Sequence, residues 1–206
     1  MKFIAYVANI IAILMLSINV CAASVEYSYT GNNYSDFYPW GSYGENIYDS
    51  TMRLEVTFTT DNLLISYSGD ARSLITSFMV HDGVNSLTES DFIIDDYHGF
   101  SINTDSSGNI LEWRFLGETI LPVENLGDTR VQFYSDHIEG IKSDDWVSTV
   151  ECVTKPFGEC VKESYNAYSI ENPGSWSVSQ VPIPQSIWLL VSGVLGLIGI
   201  SRRKKV

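Results

Sequence analysis

Residues 52–60, MRLEVTFTT, alternate apolar and polar side chains at every step. Successive side chains of an extended chain point to opposite faces. One face of this segment therefore collects four apolar residues: Met52, Leu54, Val56 and Phe58. The other face carries charges and threonines: Arg53, Glu55, Thr57 and Thr59. This period of two predicts a β-strand buried on one side only.

Two neighbouring segments predict hairpins. In LITSFMVHDGVNSLT, residues 74–88, Asp82 and Gly83 separate two apolar runs, and such a pair tolerates the positive φ angles of a tight type I′ turn. In FSINTDSSGNILEWRF, residues 100–115, a longer polar loop around Gly108 and Asn109 separates two alternating arms. Both patterns favour antiparallel pairing of neighbouring strands.

The rest of the region between the two ends of the chain repeats these signals. Further strands are predicted in five short segments: VEYSYT, DFIID, RVQFYS, WVSTVECV and SWSVSQV. Clusters of Gly, Asn, Asp, Ser and Pro separate them, and no stretch keeps helical periodicity beyond about two turns. We therefore expect one all-β domain over residues 24–180, an antiparallel and jelly-roll-like β-sandwich. The Tyr-, Gly- and Asn-rich segment 31–49 is expected to form a long loop or irregular edge.

The N-terminus has the organisation of a secretory signal peptide over residues 1–23. Lys2 precedes an apolar run, and small residues follow at Cys21, Ala22 and Ala23. Cleavage is expected after Ala23 or Ala22. Acylation of Cys21 and an uncleaved anchor remain as alternatives, although the apolar run is short for a membrane span.

Charge and cysteine usage agree with export. All 25 acidic residues lie between Glu26 and Glu171 against seven Lys and Arg residues, so this region has a net charge of −18. Such a surface repels phosphate backbones, which disfavours a nucleic-acid partner. After removal of the signal peptide, Cys152 and Cys160 remain as an even pair, and we expect them to form a disulfide in an oxidising compartment.

No complete catalytic or metal-binding motif is present. The three histidines, His81, His98 and His137, form no HExxH pattern or ligand pair, and there is no GxSxG elbow, P-loop or dinucleotide-binding glycine pattern. The interpretation is that each histidine lies in a turn or on the surface. We therefore predict no catalytic residue, no metal site and no cofactor.

Acidic and aromatic clusters leave alternatives open. Acids occur at Asp95 with Asp96, at Asp105, and at Asp144 with Asp145. Such groups are able to bind calcium or to cleave glycosides, but paired acids are also common in turns for local hydrogen-bonding reasons. In the same way, aromatic residues of the 31–49 segment are able to stack on sugar rings or to pack the loop onto the sandwich; these are Tyr34, Tyr38, Trp40 and Tyr43.

The C-terminus, residues 181–206, combines a proline motif, a short apolar segment and a basic end. Ile187–Ile200 has 14 residues. As a helix at ~1.5 Å per residue it is shorter than a hydrocarbon core of ~30 Å. It therefore predicts a temporary inner-membrane anchor. The cations that follow are expected to stay cytoplasmic and to stop transfer; they are Arg202, Arg203, Lys204 and Lys205.

This arrangement resembles the PEP-CTERM sorting signal of Gram-negative bacteria in its VPLP-type variant. The motif here reads Val181, Pro182, Ile183 and Pro184, with Ile183 in place of the Glu of the commonest form. The resemblance covers about 26 residues and implies recognition by an exosortase, with export alongside extracellular polysaccharide.

Two classes of function follow from these observations. The leading hypothesis is a non-enzymatic surface or matrix protein, located at the cell surface or outside the cell after processing and associated with exopolysaccharide in a biofilm. The alternative is a carbohydrate-binding module or a glycan-active hydrolase that uses an acidic pair.

Overall fold

A computed structural model describes residues 24–38, 46–93, 99–119, 122–139 and 142–180. The predicted signal peptide, the sorting motif at Val181, Pro182, Ile183 and Pro184, the apolar segment and the basic end lie outside the described residues. So do His98, Trp40, Tyr43, Asp95 and Asp96.

The described chain is all-β. Its strands, in chain order, are β1 (Val25–Thr30), β2 (Asp36–Phe37), β3 (Glu55–Thr60), β4 (Ser68–Asp70), β5 (Ile75–His81), β6 (Ser86–Thr88), β7 (Phe92–Ile93), β8 (Phe100–Thr104), β9 (Ile110–Thr119), β10 (Thr129–Ile138), β11 (Lys142–Thr154), β12 (Val161–Ile170) and β13 (Ser175–Gln180). Two short 3₁₀ turns, Arg72–Leu74 and Pro156–Gly158, complete the described elements.

These strands form two antiparallel sheets packed as a sandwich, which confirms the predicted fold class. The first sheet has the order β13-β1-β3-β5-β6, and the second has the order β2-β12-β11-β10-β9-β8-β4. The short β7 also pairs with β9. Within the second sheet, β9 to β12 form an uninterrupted meander of long strands.

The segment 52–60 behaves as its alternation predicts. Leu54, Val56 and Phe58 are at most 1% exposed, and Met52 packs against the same core. Phe58 stacks on Tyr27 with ring centroids 4.7 Å apart and meets Phe100 of the second sheet at 5.0 Å. Full burial of one such aromatic side chain contributes about 1.5–3 kcal/mol, so rings from both sheets hold the sandwich together.

The hairpin expected at Asp82 is present, but its turn is different. Four residues, 82–85, connect β5 to β6; Gly83 has a φ of +100°, whereas Asp82 is not among the non-glycine residues with positive φ. The Asp82 carboxylate instead accepts hydrogen bonds from the backbone N–H groups of Val84 and Asn85, at 2.8 and 2.6 Å. Hydrogen bonds to the Asp82 side chain therefore hold this turn, which does not have the predicted type I′ geometry.

The segment 31–49 is more ordered than the expected loop where it is described. Tyr34 is 1% exposed and Tyr48 is 3% exposed, so both belong to the core. The Tyr48 hydroxyl donates to Asp82 Oδ2 at 2.8 Å and lies 2.7 Å from Thr149 Oγ1. Of the two alternatives for the aromatic residues of this segment, packing onto the sandwich therefore holds for Tyr34, because its side chain is buried.

The disulfide between Cys152 and Cys160 is present, with Cα atoms 5.6 Å apart. It closes the turn between β11 and β12, where Pro156 begins a 3₁₀ turn. The bond confirms the predicted pairing and indicates an oxidising compartment outside the cytoplasm.

The first and last described strands are neighbours. In the first sheet β13 lies beside β1. The Ser177 hydroxyl contacts the Ser28 carbonyl oxygen at 3.5 Å, and the Gly174 N–H donates to the Tyr29 hydroxyl at 3.1 Å. Residue numbers rise along one strand as they fall along the other, so the start of β1 and the end of β13 lie at the same end of the sheet.

Candidate functional site

The acidic residues singled out in the sequence do not form one site. Asp144 and Asp145 are consecutive on β11 and therefore point to opposite faces of the second sheet. Asp145 is 1% exposed between the sheets. Asp105 accepts bonds from the N–H groups of Ser107 and Asn109 in a turn, and bonds from Asn109 are the main reason that its pKa is lowered. The turn interpretation therefore holds for Asp105.

A pocket of about 180 Å³ opens where the edge of the first sheet faces the second. We call it the tryptophan pocket. Its lining includes the rings of Trp113, His137 and Trp176, with Asn109, Pro173, Gly174 and the aliphatic side chains of Ile110, Leu111 and Val178. The rings of Trp113 and Trp176 are 6.0 Å apart at 77°, and the His137 ring lies 4.9 Å from Trp113. The pocket therefore has aromatic walls that meet nearly at right angles.

Two polar atoms of the pocket residues are buried without a partner. Among the described residues, neither Nε1 of Trp176 nor Nδ1 of His137 has a hydrogen-bond partner. A buried polar group left unsatisfied costs about 1–3 kcal/mol. Both atoms are covered by surrounding protein atoms, so they lie behind the pocket surface, and Trp146 Nε1 on the outer face of the second sheet is unpartnered in the same way.

A chain of hydrogen bonds connects the pocket walls to the buried acid Asp145. Trp113 Nε1 donates to the hydroxyl of Ser135 at 2.8 Å, and Ser135 also hydrogen-bonds the Asp145 carboxylate. From the other wall, Gly174 donates to the Tyr29 hydroxyl, which lies 2.8 Å from both carboxylate oxygens of Asp145. Hydrogen bonds thus connect both walls of the pocket to the carboxyl group of Asp145.

Burial sets the proton affinity of this acid. Desolvation raises the pKa of Asp145 to about 7, while the bonds from Ser135 and Tyr29 act in the opposite direction. The nearby charges of Asp136 and Asp144 add to the increase. Desolvation together with the Asp145 charge also raises the pKa of Tyr29, so Tyr29 remains a neutral donor at physiological pH.

A second feature lies on the opposite, outer face of the second sheet. Tyr134, Trp146 and Tyr168 are directly opposite one another on β10, β11 and β12. We call these three residues the aromatic row. The rings of Trp146 and Tyr168 are 6.2 Å apart, and Tyr38, which is 58% exposed, extends the row by an edge contact with Tyr168 at 5.5 Å.

Polar side chains flank the aromatic row on both sides. One flank consists of residues in register across four strands: Asn166, Ser148, Gln132 and Glu118. On the other flank, Asp136 lies between Asp144 and Arg114 in register. The Arg114 guanidinium also lies 5.9 Å from the Tyr134 ring centroid, a cation–π distance. The outer face therefore combines ring faces with hydrogen-bonding groups.

Other candidate chemistry is limited in the part of the chain that the structure describes. His81 is the last residue of β5, beside the turn, and its ring Nδ1 lies 2.9 Å from the Asn85 carbonyl oxygen and also contacts the Ser86 hydroxyl. No group of three or more potential metal-ligating side chains occurs among the described residues. Over the same residues, no helix has both the length and the apolar character needed to cross a membrane.

Comparisons with protein-family models, with curated proteins and with solved structures find no match to this chain. The geometry of the two surfaces is therefore the basis for assigning a function.

Sequence reasoning missed both surfaces. His137 was interpreted as a turn or surface residue, yet it lies on β10 and lines the tryptophan pocket. The strand β12, VKESYNAYSI, was not predicted at all, so Tyr168 had no place in a sheet. The sequence does contain an alternating pattern there, because Tyr165, Ala167 and Ser169 form the buried face of the strand. The pattern is weak, because Ala is small and Ser is polar.

Proposed function

We propose that this is an exported, non-enzymatic surface or matrix protein that holds polysaccharide chains against the aromatic row. The observation that carries the proposal is the register of Tyr134, Trp146 and Tyr168 on three consecutive strands. Neighbouring strands are about 4.8 Å apart, which is close to the length of one pyranose residue. A polysaccharide lying across the strands would therefore meet one ring for each sugar.

The flanking groups suit the same ligand. Sugar hydroxyls both donate and accept hydrogen bonds. Gln132 Nε2 already donates to Glu118 Oε2 at 2.8 Å and Asn166 Nδ2 to the Tyr38 carbonyl at 2.8 Å, so the two amide oxygens are the groups that would accept from sugar hydroxyls. The apolar C–H faces of a pyranose pack on aromatic rings, as Tyr and Trp favour at interfaces that are partly wet. Affinity is expected to come from several such contacts along the chain.

A glycan-active hydrolase is the second candidate, because Asp136 and Asp144 are directly opposite each other on the outer face beside the aromatic row. Glycoside cleavage needs two carboxyl groups that flank the scissile bond. However, Asp136 is only 3% exposed and its carboxylate accepts a hydrogen bond from the Tyr134 hydroxyl. A substrate would reach it poorly, so the geometry favours binding over turnover.

The test is retention on polysaccharide. Affinity electrophoresis of the full chain in gels containing the producer's own exopolysaccharide should show retardation. Loss of one stacking contact costs about 0.5–1.5 kcal/mol, so Trp146→Ala and Tyr168→Ala should each weaken binding by about 2- to 10-fold. Phe157→Ala is the matched control, because Phe157 is fully exposed in the disulfide loop, away from the aromatic row.

The same samples separate binding from cleavage. Release of reducing sugars that disappears in both Asp136→Asn and Asp144→Asn would establish the hydrolase and reject the non-enzymatic assignment. Equal retardation of the Trp146→Ala and wild-type proteins would reject the aromatic row as the binding surface.

The proposed route to the cell surface follows from the resemblance of the C-terminus. An exosortase would recognise Val181 to Pro184 while the apolar segment holds the chain at the inner membrane. Replacing Pro182 and Pro184 with Ala should leave full-length protein in that membrane. Replacing the four terminal cations with Ser should release some uncut chains.

Mass spectrometry of protein at the outer surface of the native host tests this route. Mature molecules that still carry residues 187–206 would show a permanent anchor and reject sorting by cleavage.

A further inference from the structure

The turn between β11 and β12 presents an aromatic side chain to solvent. Phe157 lies in the loop that the disulfide between Cys152 and Cys160 closes, and its side chain is fully exposed. Its φ angle is +57°, in the left-handed region that a bulky residue rarely adopts. The chain therefore keeps Phe157 in an unfavourable backbone conformation while its ring stays in solvent, and such backbone outliers cluster at sites of function.

The tryptophan pocket lies at the other end of the same strands. Trp113 is near the start of β9, His137 is near the end of β10, and Gly174 follows the end of β12. Phe157, in contrast, precedes the start of β12. That strand has 10 residues, which corresponds to about 33 Å at ~3.3 Å per residue. The Phe157 ring therefore cannot reach the pocket of its own chain.

We propose that the protein assembles head to tail, with the Phe157 ring of one copy inserted into the tryptophan pocket of the next copy. A contact between two different surfaces leaves one loop and one pocket unused in a pair of copies. Further copies add at these two positions, so the assembly extends beyond a dimer. This inference goes beyond the proposed function, because it concerns another surface and a protein partner.

The pocket has the size of one aromatic side chain. Its volume is about 180 Å³, and a cavity of roughly 150 Å³ is enough to hold a benzene ring. Trp113 and Trp176 meet at 77°, so an inserted ring would stack on one wall and present its edge to the other, as aromatic pairs prefer. Ile110, Leu111 and Val178 add aliphatic surface. The contact is apolar and needs no hydrogen bond from the covered nitrogens of the pocket walls.

Neither contact surface carries a net charge. The segment between the two cysteines, residues 153–159, contains Lys155 and Glu159 and no other charged residue. None of the described residues that line the pocket is Asp, Glu, Lys or Arg. The region from Glu26 to Glu171 has a net charge of −18, so two copies repel each other elsewhere on their surfaces, and salt screens that repulsion. Association should therefore strengthen as salt is added.

One inserted side chain makes a weak contact. The interface is expected to bury less than the ~1,200 Å² of stable complexes, with a Kd on the order of 100 µM. Copies held at one surface reach effective concentrations up to about millimolar, at which such a contact is populated. At roughly 1 µM protein in an affinity gel it is not populated, so Phe157→Ala remains a control for retention on polysaccharide.

The test is sedimentation equilibrium of the full chain in a density-matched detergent, with micelles in excess, between roughly 10 and 500 µM protein in about 0.15 M NaCl. The wild-type mass should rise steadily with concentration and exceed that of a dimer. Phe157→Ser removes the ring, and Leu111→Glu places a charge at the pocket; each should weaken association by about 10-fold or more. Leu111 is 55% exposed, so the folded protein tolerates this charge.

An equimolar mixture of the two variants tests the head-to-tail geometry. Phe157→Ser keeps the pocket and Leu111→Glu keeps the ring, so the mixture should form dimers with wild-type affinity and should stop there. A contact between two identical surfaces would not recover in the mixture. Met79→Ser is the control, because it removes an exposed apolar side chain from β5 of the first sheet, and it should associate like wild type. The apolar tail is the same in every sample, and melting curves confirm that each variant is folded.

Three outcomes would overturn the inference. They are a wild-type protein that stays monomeric at roughly 500 µM, about five times the expected Kd, a folded Phe157→Ser protein that associates like wild type, and a mixture that either forms no dimers or grows beyond them. These samples contain no polysaccharide, so their failure leaves the proposed function intact. Loss of retention in the affinity gels likewise leaves this inference intact.

Discussion

The Tyr29 hydroxyl of the first sheet lies 2.8 Å from both carboxylate oxygens of Asp145 in the second sheet. The same hydroxyl accepts the N–H of Gly174, which lines the tryptophan pocket. One tyrosine thus joins the two sheets and the pocket wall through a single oxygen atom. Burial raises the pKa of its partner, Asp145, to about 7. The hydrogen bonds between Tyr29 and Asp145 therefore depend on pH near neutrality.

Replacing Asp145 with Asn should flatten the pH dependence of stability. Between about pH 4 and pH 7 the folded protein keeps a proton on Asp145 that the unfolded chain has released, so the free energy of unfolding falls as pH rises through this window. The full difference corresponds to about 4 kcal/mol. The Asn side chain does not titrate, and its oxygen still accepts a hydrogen bond from the Tyr29 hydroxyl. Asp145→Asn should therefore be more stable than wild type at about pH 8, and equally or less stable near pH 4.

Urea unfolding followed by fluorescence across this pH range measures the effect. Asp61→Asn is the control, because Asp61 is exposed and is not among the groups that act on Asp145, so this variant should retain the slope. Parallel pH profiles for wild type and Asp145→Asn would contradict the prediction.

Tyr29→Phe should destabilise the protein by about 1–3 kcal/mol, because it removes a hydrogen bond from a buried carboxyl group and leaves an N–H without its acceptor. The loss should be larger above pH 7, where the carboxylate is charged. Tyr27→Phe removes a comparable bond, in which the Leu64 N–H donates to the Tyr27 hydroxyl at 2.8 Å, and its cost should not vary with pH. An equal pH dependence of both variants would show that Tyr29 does not stabilise the ionised acid.

Replacing Cys152 and Cys160 together with Ser should lower the free energy of unfolding by about 2–3 kcal/mol, the value that the chain-entropy treatment gives for a loop of this length. Cys152 is fully buried, so the Ser hydroxyl there adds a desolvation cost. The urea midpoint of wild type should fall when dithiothreitol is added, and the midpoint of the variant should lie slightly lower still, because reduced wild type keeps the apolar Cys152 thiol. Two reactive thiols in denatured, unreduced wild-type protein would show that the bond does not form.

Gly174→Ala should destabilise the contact between β13 and β1. A Cβ atom at this position would lie 2.3 Å from the carbonyl oxygen of Thr30 and 2.6 Å from Cα of Gly31, and neither backbone atom is free to rotate away. We expect a loss of about 1–3 kcal/mol and faster amide exchange in β13. Ser175→Ala, at an exposed neighbouring position, is the control and should leave both quantities unchanged.

The strands with regular alternation could be predicted from the sequence, and so could the sandwich. Leu54, Val56 and Phe58 lie at successive inward positions, and their pattern needs no knowledge of the partner strands. The disulfide also followed from the count of cysteines that remain after export. The strand pattern depends only on residues that are neighbours in the sequence, and the disulfide depends only on the number of cysteines.

The candidate surfaces could not be predicted, because they depend on register. Trp146 and Tyr168 are 22 residues apart, and only the pairing of β11 with β12 makes them neighbours. Asp144 and Asp145 look like a pair in the sequence, but the strand places them on opposite sides of a sheet. Aromatic content alone did not reveal that Tyr34 is buried and Tyr38 exposed.

The pairing of β13 with β1 places both ends of the described domain at one pole. Val25 and Ser179 lie at the same end of the first sheet, whereas Gly174, at the rim of the tryptophan pocket, lies at the opposite end of this strand pair. A short linker between Val25 and Ser179 would therefore join the two ends of the described domain, so the chain could be opened at another surface loop as a circular permutant with the Gly174 end intact.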